Sequence, residues 1–271
     1  MGLSRRNFIV KFFLSALGLL LLDSFWFERY IIQWTEFDIS ENRSDSIKII
    51  QLTDLHIDEI KYFHKSIAKR INKENPDLIT ITGDSVNYTS KFPALDAFLK
   101  LIDPHIKMVA IMGNREYSGK LKIDDLRQLY EKYNGRLLIN ENLVFSTKKR
   151  ELNIMGIDDF IGGNSDFGLS ANYVDKNLDT VVLNHCPEYS DEISILNQNL
   201  SLKIKLVLSG HTHGGQVTFL GKAYFKPGGS GRFLKGWYDL NGLKMYVSKG
   251  IGTTIFPFRL GARAEATIFY V

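Results

Sequence analysis

Ile47-Lys48-Ile49-Ile50-Gln51-Leu52-Thr53-Asp54-Leu55-His56 opens as an apolar, β-branched run and closes on an acid and an imidazole. A short run of that kind reads as a buried strand. The layout recurs downstream, with strands predicted at 78–82, 107–112, 152–157, 180–184 and 204–209. Between the first of them lie segments with helical spacing. Phe63, Ile67 and Ile71 repeat through 63–75, which Asn75-Pro76 closes. Residues 94–102 set Leu95, Phe98, Leu99 and Ile102 on one face, and 121–134 is amphipathic in the same way. From about 215 the chain reads as strands separated by glycine-rich turns. Alternating strand and helix predict a single α/β domain over 46–271.

The chemistry sits where these strands end. Asp54 and His56 follow the first strand, Asp84 (in Thr-Gly-Asp-Ser) the second, and Asn114 (in Gly-Asn-Arg-Glu) the third. His185 follows 180–184, and 204–209 runs into Gly210-His211-Thr212-His213-Gly214-Gly215-Gln216. In an open α/β sheet the loops at one edge converge, and ligands bind there. Oxygen and imidazole donors suit Mn, Fe, Zn or Co rather than a thiolate-selected metal. A lone Asp after a strand caps a helix as readily, and a lone His packs as readily, so the ordered series carries the signal. Cys186, beside His185, reads as a small buried hydrophobe facing away from it. His64 and His105 read as surface residues, and Asp158-Asp159 with Gly162-Gly163 as a turn near the mouth of the site. Lys226, Arg232, Lys235 and Arg259 could bind an anionic head group or be solvated. Phe256-Pro257-Phe258 could touch lipid or form a buried turn.

Composition excludes more than it selects. The chain has 271 residues, 44% hydrophobic and 24% charged, which is the globular average and rules out a disordered chain or a coiled coil. A single cysteine rules out an internal disulfide framework and a multi-thiolate zinc site. The net charge of +4 does not demand a nucleic-acid partner. Its distribution is uneven: residues 221–271 hold eight Lys/Arg against two Asp/Glu, the first eleven residues are basic, and the stretch between is acidic. Basic ends suit an anionic substrate or membrane surface, with plain solvated faces as the alternative.

Ser4-Arg5-Arg6-Asn7-Phe8-Ile9 leads into an apolar run from Phe12 to Leu22. Paired arginines before such a run have the layout of an export signal, similar to a twin-arginine signal. No small-x-small cleavage site follows, so residues 1–35 are expected to stay attached as a signal anchor. Phe8 to Phe27 is about long enough to cross a bilayer, with Trp26, Tyr30 and Trp34 near the interface. The positive-inside rule favours the extracytoplasmic face for the domain; an interfacial helix on the cytoplasmic face, or a buried core helix, is the alternative.

The ordered series, over residues 50–216, resembles the calcineurin-like metallophosphoesterase superfamily. The arginine pair, Gly210 to Gln216, and Tyr246-Val247-Ser248-Lys249-Gly250-Ile251-Gly252-Thr253-Thr254 before a last strand are similar to its bacterial YaeI/YkuE-like phosphodiesterase branch. That branch includes UDP-2,3-diacylglucosamine pyrophosphatases of the LpxG type. The resemblance implies a four-layer αββα sandwich with two divalent metal ions. Asp54, His56, Asp84 and His213 would hold one ion, and Asp84, Asn114, His185 and His211 the other. Water would attack phosphorus in line while the ions clamp the phosphoryl oxygens. Asp84, Asn114 and Arg115 are the catalytic candidates.

Arg115 is the departure, because the superfamily usually carries histidine there. Arginine cannot act as a general acid, though it can neutralise phosphoryl charge. Alcohol leaving groups should therefore suffer most, and phosphate or aryl leaving groups least; alternatively Arg115 faces solvent and the site is slow. The expected function is a membrane-associated phosphoesterase acting on phosphodiester or pyrophosphate bonds of an anionic, lipid-linked substrate, with a UDP-2,3-diacylglucosamine-type pyrophosphatase as one reading. A nuclease or nucleotide phosphodiesterase on the same fold and a non-catalytic scaffold are the alternatives, nucleic acid not being an expected partner.

Overall fold

The computed structural model describes residues 4–271; residues 1–3, the start of the expected anchor segment, lie outside it. A helix runs from Arg5 to Leu22, with the Ser4 hydroxyl accepting from the Asn7 amide at its first turn. It continues through a π-helical turn, Asp23–Phe27, to Tyr30. No side chain in Arg5–Leu22 is buried. The span Arg5–Tyr30 is 26 residues, long and apolar enough to cross a membrane, a test that a signal sequence also passes.

The strands β1 (Gln33–Asp38), β2 (Lys48–Leu52), β3 (Leu78–Thr82), β4 (Lys107–Ile111) and β5 (Gly135–Leu138) come first. Next are β6 (Glu141–Ser146), β7 (Glu151–Gly156), β8 (Asp179–Leu183) and β9 (Lys203–Ser209). A short pair, β10 (Thr218–Phe219) and β11 (Lys222–Ala223), precedes β12 (Gly236–Leu240), β13 (Leu243–Val247) and β14 (Glu265–Tyr270). One six-stranded sheet has the order β1-β14-β2-β3-β4-β5 and the other β12-β13-β9-β8-β7-β6. From β2 to β5 the pairing is parallel, as it is from β7 through β9 to β13.

Alternation along the strands divides the apolar residues among three layers of core. Ile49, Leu78, Val109, Leu152, Val181, Leu206 and Phe269 pack between the two sheets. Ile50, Ile79 and Met108, one residue along, face the helices Tyr62–Glu74, Phe92–Leu99 and Ile123–Lys132. On the far side Val182, Val207 and Met245 pack against Ile193 of the helix Ser190–Leu200. The result is the four-layer αββα sandwich. It differs from the sequence expectation at its edge. β1 pairs in parallel with β14 from Gln33↔Glu265 to Asp38↔Tyr270, so the sheet takes in residues ahead of 46. A strand whose partner lies some 230 residues away leaves no local signal.

His64 is a correction. It is 4% exposed rather than a surface residue, because it lies on the inward face of its helix beside Phe63 and Phe98. Its Nδ1 accepts from the Lys61 amide, closing the first turn. Burial, with Lys61 nearby, pushes its pKa down to about 4. The unfolded chain then binds the proton more readily between pH 6.5 and 4. Stability is therefore full above about pH 6.5 and falls by about 3 kcal/mol as pH drops toward 4. His64→Gln should flatten that part of the curve in urea titrations at pH 7 and pH 4.5; an unchanged slope would refute the assignment. His105, by contrast, is exposed as expected.

Candidate metal centre

The loops leaving β2, β3, β4, β8 and β9 meet over one edge of the sandwich and bring all seven expected donors together. Five of the seven hold left-handed backbone: Asp54, His56, Asp84, His211 and His213. Non-glycine residues rarely adopt that conformation, and they persist in it where the surroundings impose it. The glycines beside them allow close approach. A Cβ on Gly113 would collide with the Asp84 carboxylate, and one on Gly210 with Thr53 and the Asp54 carboxylate.

Asp84 is the centre of the arrangement. Its Oδ2 lies 3.6 Å from His56 Nε2, and its Oδ1 lies 3.5 Å from His185 Nε2. On the Oδ2 side, Asp54 Oδ1 is 3.3 Å from His213 Nε2 and 4.0 Å from His56 Nε2. On the Oδ1 side, Asn114 Oδ1 is 3.2 Å from His185 Nε2 and 3.0 Å from His211 Nδ1. One buried carboxylate thus divides its two oxygens between two groups of donors.

The outer atoms of the imidazoles are already committed. His56 Nδ1 donates to Asn87 Oδ1 at 2.7 Å, His185 Nδ1 to the Thr82 carbonyl at 2.7 Å, and His211 Nε2 to the Gly228 carbonyl at 2.6 Å. Such partners fix the tautomer and leave the inward nitrogen with a lone pair. Carboxylate, amide and imidazole acceptors facing one another within 3–4 Å repel unless positive charge lies among them. By the chemistry of its donors, the cluster fits divalent cations.

The ionisation of the cluster agrees with that reading. Burial, with His56 and Arg259 beside it, pushes His213 down to about 3. His211 is lowered by burial and by His185. For Asp54 and Asp84 the neighbouring imidazoles outweigh the burial penalty, and both carboxyls are held below their usual range. Burial acts to lower His185, but Asp84 prevails and raises it, so a cation entering there would displace a proton.

A sequence profile for calcineurin-like phosphoesterases matches residues 47–215, which include every one of these donors. The chain belongs to the calcineurin-like phosphoesterase family. It is a phosphoester hydrolase of the YaeI/YkuE-like branch, in a family that uses a dinuclear metal site. The Bacillus subtilis metallophosphoesterase YkuE is 27% identical, over 98% of this chain and 97% of its own. The Escherichia coli protein named phosphodiesterase YaeI is 27% identical over 82% of this chain and 80% of its own. Among solved structures, TT1561 of Thermus thermophilus superposes with a TM-score of 0.51 at 12% identity, covering 76% of this chain and 90% of its own, a likeness of fold.

Within this phosphoesterase several residues outside the donor set support it. Glu116 is buried, and its carboxylate accepts from the amides of Asp84, Ser85 and Gly113 at 2.6–3.0 Å, tying two donor loops together. Burial and Asp84 push its pKa up to about 8. Asn87, three residues past Asp84, orients His56. Arg259, expected as a solvated cation or head-group ligand, is completely buried against backbone carbonyls and reaches His213 Nδ1 at 3.4 Å. Cys186 is buried as expected, but does not face away from the site: its Sγ lies within 4.8 Å of donor atoms of His185 and His211. Strand alternation does not reach it, since β8 ends at Leu183. Its thiol donates to Asp159 Oδ1 at 3.2 Å.

Arg115 is half-buried at the mouth, beside Asp84, Asn114, His211, His213, Phe225 and Ile255. Its amide donates to Asp84 Oδ1 at 2.8 Å, and its guanidinium has no carboxylate partner among the described residues. Asp158 and Asp159 form the expected turn, accepting from the amides of Asn164, Ile161 and Gly162.

Proposed function

We propose that Asp54, His56, Asp84 and His213 hold one divalent ion and Asp84, Asn114, His185 and His211 a second, in a membrane-anchored hydrolase of pyrophosphate-type phosphoesters. The observation that carries this reading is the split of Asp84, one carboxylate oxygen toward each donor group. Ions bound there would supply Lewis-acid polarisation of the phosphoryl group and a water of lowered pKa. The chain's own residues do the rest. Asn87, Thr82 and Gly228 hold three imidazoles with their lone pairs inward, and Glu116 keeps the Asp84 and Asn114 loops in register. Arg115, free of acidic partners, is available to phosphoryl oxygens, where a guanidinium forms paired hydrogen bonds.

Arg115 also bears on the substrate. A guanidinium cannot hand a proton to a departing alkoxide, whereas a phosphate or aryloxide leaves without one. With the N-terminal helix as anchor, the best-supported substrate is a lipid-linked pyrophosphate, of which UDP-2,3-diacylglucosamine is one candidate. The arginine pair at its start favours the extracytoplasmic face for the domain, whereas UDP-2,3-diacylglucosamine as substrate would place it on the cytoplasmic face. Arg115→His tests the leaving-group argument. The variant should raise hydrolysis of alkyl phosphodiesters relative to pyrophosphates by about a hundredfold, the low end of what general acids contribute. An unchanged ratio would refute it.

A further inference from the structure

Apart from the anchor, large apolar side chains stand in water on two loops at the mouth of the site. Leu220 is 86% exposed, and Tyr224 and Phe225 on the same loop are exposed as well. On the second loop Ile255 and Phe256 are exposed. The two loops are bonded as a unit. Gln216 Nε2 donates to the Phe256 carbonyl at 2.7 Å, and the Thr218 amide to the Leu260 carbonyl at 2.7 Å. Phe225 and Ile255 line the mouth itself, with Asp84 and Arg115.

The second loop is also fastened to the end of the membrane-length helix. The Phe25 ring lies 4.9 Å from that of Phe258, and the Arg259 amide donates to the Ser24 carbonyl at 3.1 Å. Arg29 donates to the Pro257 carbonyl at 2.6 Å, while the Glu28 carboxylate accepts from the amides of Gly261 and Ala262. Residues 24–29 form the last turns of the span Arg5–Tyr30, so a loop bonded to them sits at their depth. Arg29, Lys222, Lys226, Lys235 and Arg263 surround this face, and none has a carboxylate partner within salt-bridge distance among the described residues. Apolar tips flanked by unpaired cations match the boundary between anionic headgroups and acyl chains.

We propose that loops 220–225 and 253–258 insert into the headgroup–acyl boundary of an anionic bilayer, so that the metal site opens onto the membrane surface. This inference rests on the membrane-anchored reading above. It directs the mouth toward phosphate groups carried by lipids, because Asp84 and Arg115 then face the headgroup layer from beneath the rim.

Depth-dependent quenching in vesicles tests it on the full chain. Cys186 is buried, so a thiol-reactive fluorophore selects introduced cysteines. Leu220→Cys and Phe256→Cys, neither of which lines the mouth, would each be labelled and reconstituted into phosphatidylglycerol–phosphatidylethanolamine vesicles containing spin-labelled lipid. Leu17→Cys, on the helix, reports the anchor. Quenching at 220 and 256 by spin labels near the headgroups, together with quenching at 17, is the expected result. Quenching at 17 alone would overturn the inserted loops and leave the anchor standing. Quenching at none of the three would overturn the membrane reading and the loop insertion with it.

Discussion

Asp84→Ala is expected to abolish metal-dependent hydrolysis, lowering kcat for bis-p-nitrophenyl phosphate by on the order of 10³-fold or more. The size follows from position. Asp84 turns one oxygen toward Asp54, His56 and His213 and the other toward Asn114, His185 and His211, so its removal strips a donor from both groups at once. Asn114→Ala removes a donor from one group only and should cost less. Saturating Mn²⁺ should rescue part of the Asn114→Ala loss by mass action and little of the Asp84→Ala loss. The metal-stripped and reloaded wild type provides the reference, and cooperative unfolding of each variant shows that the loss is not one of folding. Activity of Asp84→Ala within about tenfold of wild type would overturn the two-ion reading.

Arg259→Met should be the most damaging single change away from the donors, destabilising the protein by about 3–5 kcal/mol. The guanidinium is completely buried, yet among the described residues no carboxylate lies within salt-bridge distance of it. It donates instead to the carbonyls of Lys249, Gly250, Gly252 and Ala262 at 2.6–3.1 Å. Burial lowers its pKa to about 10, which leaves it charged at neutral pH. Methionine keeps much of the volume but leaves those carbonyls without donors in the interior. Lysine should not rescue, since a single ammonium cannot reproduce the planar fork. Because the same loop bears on His213 and on Ser24, the variant should also weaken Mn²⁺ binding and expose the 249–262 segment to protease. A urea midpoint close to wild type would refute the assignment.

Much of this protein could be read along the chain. β2, β3, β4, β7, β8 and β9 are buried on both faces over most of their length and therefore appear as mainly apolar, β-branched runs. The donors follow those runs directly, so their order in the sequence is the order in which the strands deliver them. Asp54, His56, Asp84, Asn114, His185, His211 and His213 could all be named before any geometry was known. β5 and β6 were harder, the first being four residues long and the second largely exposed, and β1 is mostly polar with no nearby partner.

The contacts that had to await the tertiary structure act across long separations. Glu116 reaches 32 residues back to the Asp84 amide, His185 finds the Thr82 carbonyl 103 residues away, and Glu28 meets Gly261 across 233. Which side chains could hold a cation, and which strands present them, was legible along the chain, since both are local properties of composition and spacing. How Asp84 divides its oxygens, why Arg259 and His64 are buried, and which loops share the face of the membrane-length helix emerged with the folded chain alone. Those depend on how distant backbone segments come to lie side by side, and a backbone carbonyl or amide that completes such a contact leaves no mark on residue identity.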